Sequence, residues 1–221
     1  TELALEESGL QYTRFEIDLQ NKPEWYVPKV NPASKVPAIA YGGPIVPPNE
    51  PSPESVKLSE SLILVEFIAD LSAPGKLLPT DPVLRAKVRF FIDTVSNTIG
   101  AAFGAVALRG ESTQKILDAI EKIQSLLPDD GYAIGKEFTI ADIATAPFFA
   151  RCEVFLEYDI GLFEEGTGNA AFTKLRTDSK FARYRKYWED LQARESFKKT
   201  FDRVSLLQKY SYKSDSNSRV A

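Results

Sequence analysis

The chain has 221 residues and a formal net charge of −4, with 27 basic residues against 31 acidic ones. A mildly acidic chain without a long basic run is a poor candidate for nucleic-acid binding. No apolar stretch in the sequence reaches the roughly 18 residues that a membrane span needs. With no histidine and one cysteine, the chain excludes serine–histidine triads, disulfide frameworks and cysteine-rich metal sites, and the single thiol indicates a reducing, cytoplasmic location.

The first third of the chain alternates helix and strand patterns. Residues 1–8 predict an amphipathic helix that ends at Gly9, and residues 59–71 predict a second helix with a broad apolar face. Residues 42–55 are rich in proline and glycine and predict an exposed loop. Segments that alternate apolar and polar side chains predict three strands, at residues 12–18, 35–41 and 56–58.

From residue 80 onward the pattern is helical. Asp81 and Pro82 predict the start of a long helix, which extends to about Leu108 with interruptions near Gly100 and Gly104. Four further helices are predicted, at residues 112–127, 139–158, 178–193 and 196–210, before a polar tail over 213–221. The predicted architecture is a small α/β domain over residues 1–71, a linker over 72–82 and an all-α domain over 83–221.

Five motifs, in order along the chain, resemble those of cytosolic glutathione S-transferases. The chain carries K-P-E-W at 22–25, N-P-x-x-x-V-P at 31–37, E-S at 60–61, G-K-L-L-P at 75–79 and a helix capping box at 139–142. The first of these resembles the omega class, and the long loop over 42–55 resembles fungal members. The resemblance implies a thioredoxin-like N-terminal domain, an all-helical C-terminal domain, a homodimer and glutathione as a substrate, with no metal.

The resemblance also implies a glutathione site. The backbone of Val36 would pair with the cysteinyl residue as an added strand, and Pro37 would follow a cis peptide bond. Ser61, at a helix N-terminus, would hold the γ-glutamyl carboxylate. Glu60 would pair with the γ-glutamyl ammonium or orient the motif, and Lys22 would meet the glycyl carboxylate. Taken singly, Val36–Pro37 also fits the start of an ordinary strand and Ser61 an ordinary helix cap, while Glu60 and Lys22 fit solvated surface charges. Only the order of all the motifs along the chain favours glutathione binding.

A pocket for a second, small apolar substrate is expected between the two domains. The resemblance implies that four side chains line it: Phe91, Phe103, Phe148 and Arg151. Cys152 lies in the middle of a predicted helix, and we expect a packed, inert thiol there.

The catalytic residue is expected upstream of Thr1, because the family places it after a first strand and the sequence opens within the helix that follows. A cysteine there would perform thiol transfer or deglutathionylation, and a serine or tyrosine would favour conjugation to an electrophile. The alternative to a detoxifying transferase is a non-catalytic, ligandin-like protein that binds glutathione and apolar small molecules. A third reading is a scaffolding protein that keeps the fold as an interaction module.

Overall fold

A computed structural model describes residues 1–208 and Tyr210, so the predicted tail over 213–221 lies outside the described residues. The chain forms two compact units, the first from Thr1 to Leu78 and the second from Pro79 onward. The first unit contains the only sheet of the described chain, and the second is helical. This is the predicted order of an α/β domain followed by an all-α domain.

The first unit combines three helices with a two-stranded antiparallel sheet. Its helices are α1 (Glu2–Ser8), α2 (Tyr26–Lys29) and α3 (Ser61–Leu71), and its strands are β1 (Ala38–Tyr41) and β2 (Val56–Ser59). Helix α1 ends at Gly9, whose φ of 74° is in the left-handed region that favours glycine. Helices α1 and α3 pack together through the apolar faces that the sequence predicts, with a core formed by Leu3, Ala4, Leu64, Val65 and Ile68.

The strand predicted over residues 12–18 is wrong, because the described chain forms no sheet ladder there. A strand needs a neighbouring backbone edge for its hydrogen bonds, and β1 pairs only with β2 among the described residues. The segment is held instead by side chains: Arg14 pairs with Glu2 at 2.7 Å, and the ring centroids of Phe15 and Trp25 lie 5.6 Å apart.

The loop over residues 42–55 is exposed along most of its length, as predicted, and is fastened at its base. The ammonium of Lys57 donates to the carbonyl oxygens of Ser52 and Ser55, at 2.5 and 2.7 Å. At the other side of the base, a Cβ on Gly43 would lie 3.1 Å from the backbone nitrogen of Ser55. The two ends of the loop, where it leaves β1 and where it enters β2, are therefore held close to each other.

The second unit is built from seven α-helices among the described elements. They are α4 (Pro82–Val95), α5 (Ala101–Arg109), α6 (Gln114–Gln124), α7 (Ile140–Glu157), α8 (Thr167–Thr177), α9 (Ala182–Ala193) and α10 (Glu195–Thr200). A π-helical segment, Ser96–Gly100, joins α4 to α5 without ending the helical run. The irregularity predicted near Gly100 is thus confirmed, and the interruption predicted near Gly104 is wrong, because Gly104 lies within α5. Residues 203–208 are also helical, and a break at 201–202 divides the helix that was predicted over 196–210.

Helix α7 is the centre of the second unit. It is apolar on most sides, as expected for a core helix, and it packs against α4, α5, α8 and α9. Its start is the predicted capping box: Thr139 accepts from the first-turn backbone while Asp142 accepts from the N–H of Thr139.

The continuous helix Pro82–Arg109 corrects one expectation from the sequence. Its 28 residues are long and apolar enough to cross a membrane by length and composition alone. Half of its most apolar window is buried inside the protein, however, as in the core helix of a globular unit. Val88, Phe91, Val95 and Ile99 form its buried stripe.

Candidate functional site

The register of the sheet brings the two halves of the predicted glutathione site together. Strands β1 and β2 pair antiparallel, and the last pair of the ladder is Ala38 opposite Ser59. Pro37 directly precedes Ala38 and Glu60 directly follows Ser59, so Pro37 and Glu60 both lie just beyond the same end of the ladder. The Val36–Pro37 peptide bond is cis, as the resemblance implies.

Val36 presents an unpaired backbone at this end of the sheet. The residue is 41% exposed, and its N–H and C=O lie outside the β1–β2 ladder. The preceding carbonyl, that of Lys35, accepts hydrogen bonds from the Tyr26 hydroxyl at 2.6 Å and from the Asn31 amide at 2.8 Å. These two bonds fix the direction in which the chain enters Val36.

Tyr26 and Asn31 hold the backbone just before Val36 in place, and the sequence motifs assigned neither of them a role. Both are buried, at 3% and 5% exposure, and burial raises the pKa of the Tyr26 phenol. Asn31 also caps its own turn by accepting from the N–H of Ala33. The N-P motif could have pointed to Asn31 from the sequence alone, because a buried asparagine needs hydrogen-bond partners.

Glu60 and Ser61 form the start of helix α3. Glu60 has φ 72° and ψ 110°, a left-handed conformation that a residue with a side chain rarely adopts. No side chain of the described residues caps this helix, so the first N–H groups of α3 point away from the helix without an intrahelical acceptor. Both residues are exposed. A strained, uncapped and accessible helix start is suited to an anion.

Lys22 lies in the segment before α2 and is partly buried. It forms no ion pair with another residue of the described chain, so its ammonium is available to an anionic ligand. Among the described residues, no contact joins Lys22 directly to the end of the ladder.

The four residues predicted for the second-substrate pocket differ in exposure. Phe91 is 2% exposed and packs in the core of the helical unit. Phe103 and Phe148 are half-buried, and Arg151 is exposed. Phe148 lies against Gly100, and the ring centroids of Phe103 and Phe155 are 4.8 Å apart. Phe148 and Phe155 of α7 thus each lie against a residue of the helical run Pro82–Arg109.

Cys152 is fully buried, as predicted for an inert thiol. Burial raises the pKa of the Cys152 thiol to about 12, an effect that the nearby Arg151 guanidinium opposes. A thiol that is neither accessible nor ionised cannot act as a nucleophile.

Two family models match the chain. "Glutathione S-transferase, N-terminal domain" matches residues 1–71, and "Glutathione S-transferase, C-terminal domain" matches residues 106–190. Among curated relatives, glutathione S-transferase U19 of Arabidopsis thaliana is 30% identical, over 72% of this chain and 72% of its own. Glutathione S-transferase L1 of the same plant is 29% identical, over 75% of this chain and 70% of its own.

Solved structures extend the similarity to nearly the whole chain. Glutathione transferase Omega 1C from Trametes versicolor is 56% identical with a TM-score of 0.91, covering 96% of this chain and 89% of its own. Omega 2S from the same fungus, in complex with 2,4-dihydroxybenzophenone, is 44% identical with a TM-score of 0.89, covering 96% and 91%. The chain belongs to the glutathione S-transferase family, is similar to its fungal omega class, and is a glutathione-dependent transferase.

Proposed function

We propose that glutathione binds at the end of the β1–β2 ladder, between the backbone of Val36 and the start of α3. The observation that carries this proposal is the register Ala38 opposite Ser59, which brings the cis Val36–Pro37 bond and Glu60–Ser61 to one place. An unpaired backbone edge and an uncapped helix start are the two elements that a short anionic peptide requires.

The charges of glutathione match the groups available there. The γ-glutamyl carboxylate accepts from the Ser61 hydroxyl and the first N–H groups of α3, where the helix dipole favours an anion. Its ammonium pairs with the Glu60 carboxylate, and the cysteinyl residue adds to the Val36 backbone as a strand would. The glycyl carboxylate pairs with Lys22, which has no other partner in the described chain.

The second substrate is a small, apolar aromatic electrophile. Phe103, Phe148 and Arg151 are the accessible members of the predicted pocket set, whereas Phe91 is buried in the core and does not line a pocket surface. The Omega 2S relative was solved with 2,4-dihydroxybenzophenone, an aromatic ketone. Flat aromatic ligands stack on accessible phenylalanine rings.

Calorimetric titration with glutathione tests the site. Ser61→Ala and Lys22→Ala each remove one charge-assisted hydrogen bond, so we expect each to weaken binding about 10-fold or more. Lys29→Ala is the matched control, since Lys29 is an exposed lysine at the end of α2 and has no place in the proposed site. Unchanged affinity in both Ser61→Ala and Lys22→Ala would place glutathione elsewhere.

We also propose that the protein is a cytoplasmic homodimer. On α4, Val83 and Phe90 lie two helical turns apart on one face, and each is 62% exposed. A helix face with two exposed apolar side chains gains free energy when a second copy of the chain covers it. Sedimentation analysis of Phe90→Ser tests this proposal: we expect dissociation to monomers, and an unaltered dimer would exclude this face.

A further inference from the structure

The loop over residues 42–55 carries an apolar run that faces water. It follows β1 at the end of the ladder opposite the proposed glutathione site, and every residue from 42 to 50 is exposed. The run is P-I-V-P-P, over residues 44–48, and Ile45 within it is fully exposed. Consecutive exposed apolar residues are disfavoured on a protein surface unless they have a function.

The first four residues of this run are extended. Residues 44–47 form no helix, strand or turn, and the N–H groups of Ile45 and Val46 donate no hydrogen bond to the described residues. Proline fixes its own φ near −65°, and it also keeps the residue before it out of the helical region. An extended, proline-containing backbone without internal hydrogen bonds is typical of polyproline II.

Pro44 and Pro47 have the spacing that proline-recognition domains bind. Polyproline II has three residues per turn, so prolines at positions i and i+3 lie on the same edge of the segment. Domains with a groove lined by aromatic side chains bind such P-x-x-P segments in this conformation. Ile45 and Val46 stand between the two prolines and add apolar surface.

Both ends of the extended segment are held in place. After it, the N–H of Glu50 donates to the carbonyl of Pro47 at 2.9 Å, which closes a turn with Pro48 at its second position, where proline is favoured. At the base of the loop, the ammonium of Lys57 binds the carbonyls of Ser52 and Ser55. A segment that is already ordered loses less conformational entropy when a partner binds it.

The charges of the loop indicate the charge of its partner. The only charged residues between positions 42 and 56 are Glu50 and Glu54. Both are exposed, and neither carboxylate pairs with a cation of the described chain. A partner groove with lysine or arginine at its rim is complementary to these two carboxylates.

We propose that residues 44–48 are a docking segment for a proline-recognition domain, of the class that includes SH3 and WW domains, with a basic rim beside its aromatic groove. This interaction is separate from glutathione binding and from the proposed dimer face on α4. It gives the exposed loop a function that the transferase activity does not require.

The test is biolayer interferometry of the full chain against an array of purified SH3, WW and EVH1 domains that includes members with basic rims. We expect binding to at least one domain with a basic rim, and Pro47→Ala should weaken it about 10-fold or more. Pro53→Ala is the matched control: Pro53 is an exposed proline of the same loop outside the run, and we expect a change of less than about twofold.

A second pair of variants separates the apolar contact from the charge. Ile45→Asp and Asn49→Asp each add one negative charge to an exposed position of the loop. We expect Ile45→Asp to abolish binding and Asn49→Asp to preserve it. Glu50→Gln should weaken binding, and added salt should weaken it further, because it screens the attraction to the basic rim.

Each contrary result has a definite meaning. Absence of binding across the array refutes the proposal, and so does a bound domain that Pro47→Ala and Pro53→Ala affect equally. If Glu50→Gln and added salt leave the affinity unchanged, the basic rim is refuted. The thermal midpoint of each variant verifies its fold, and calorimetry with glutathione on the same variants reports separately on the glutathione site.

Discussion

The hydroxyl of Tyr187 on α9 donates a hydrogen bond to Oδ1 of Asp142 on α7, with 2.8 Å between the two oxygens and both residues buried. The same carboxylate accepts from the backbone N–H groups of Ala133 and Thr139, each at 2.8 Å. One buried group thus joins the capping box, the loop before it and a second helix.

Tyr187→Phe should destabilise the protein, because it removes a hydrogen bond to a buried carboxylate. We expect a loss of about 1.5–3 kcal/mol in the free energy of unfolding, measured in urea. Tyr184→Phe is the control: Tyr184 is equally buried on the same helix, and its hydroxyl makes no hydrogen bond with the described residues. Equal losses in the two variants would show that the Asp142 bond contributes nothing.

Arg203→Met should release the helical segment over residues 203–208. Arg203 pairs with Glu153 at 3.4 Å and with Glu157, and Glu153 is only 8% exposed. Removing the cation leaves a buried carboxylate whose remaining partner is the indole N–H of Trp188. We expect a loss of about 2 kcal/mol in urea unfolding.

Lys198→Met is the control for Arg203→Met. Lys198 pairs with Glu195 at 2.6 Å on the surface, and an exposed pair of this kind contributes less than about 1 kcal/mol. If both substitutions cost the same, the burial of Glu153 is irrelevant to the effect.

Cys152 should be unreactive in the folded protein and reactive once unfolded. Because burial raises its pKa to about 12, we expect no reaction with a thiol reagent at about pH 8.5 and one equivalent in concentrated urea. The folded state holds this proton more tightly than the unfolded state, so the stabilisation is full below about pH 9 and declines as the pH rises toward 12. Rapid labelling under native conditions would contradict the burial.

Glu60→Gly should separate stability from binding. Glycine adopts the φ of 72° at this position without steric cost, so we expect the free energy of unfolding to stay level or rise by about 1 kcal/mol. Glutathione affinity should fall, because the carboxylate that pairs with its ammonium is lost. A variant that is both destabilised and unchanged in affinity would remove Glu60 from the site and show that its conformation is not strained.

The elements that the sequence predicted well are those with local signals. The capping box at Thr139 and the helix end at Gly9 are specified within a few residues. The strand over residues 12–18 was wrong because a strand depends on a neighbour elsewhere in the chain. Helix α8 was missed because Asp159 fastens its start, accepting from the N–H groups of Gly166 and Gly168 across seven and nine residues.

The candidate site also has a part that local sequence motifs predicted and a part that depends on long-range contacts. Val36, Pro37, Glu60 and Ser61 were assigned from motifs, and the register that gathers them was not predictable because pairing depends on both strands. Gly100 was predicted to interrupt a helix, but only the structure shows a π-helical segment and the ring beside it. Long-range contacts of this kind leave no mark in a local pattern.

The loop that connects β1 to β2 lies at the end of the hairpin opposite the proposed glutathione site, so its length does not affect that site. The ladder ends at Ala38 and Ser59 on one side and turns into the loop on the other, where Gly43 and Ser55 approach each other closely. Residues between those two positions can be added or removed without shifting the register, and doubling a loop costs only about 0.6 kcal/mol in closure entropy. The sequence and length of the loop over residues 42–55 can therefore change during evolution while the residues at the opposite, ligand-binding end of the hairpin stay under separate selection.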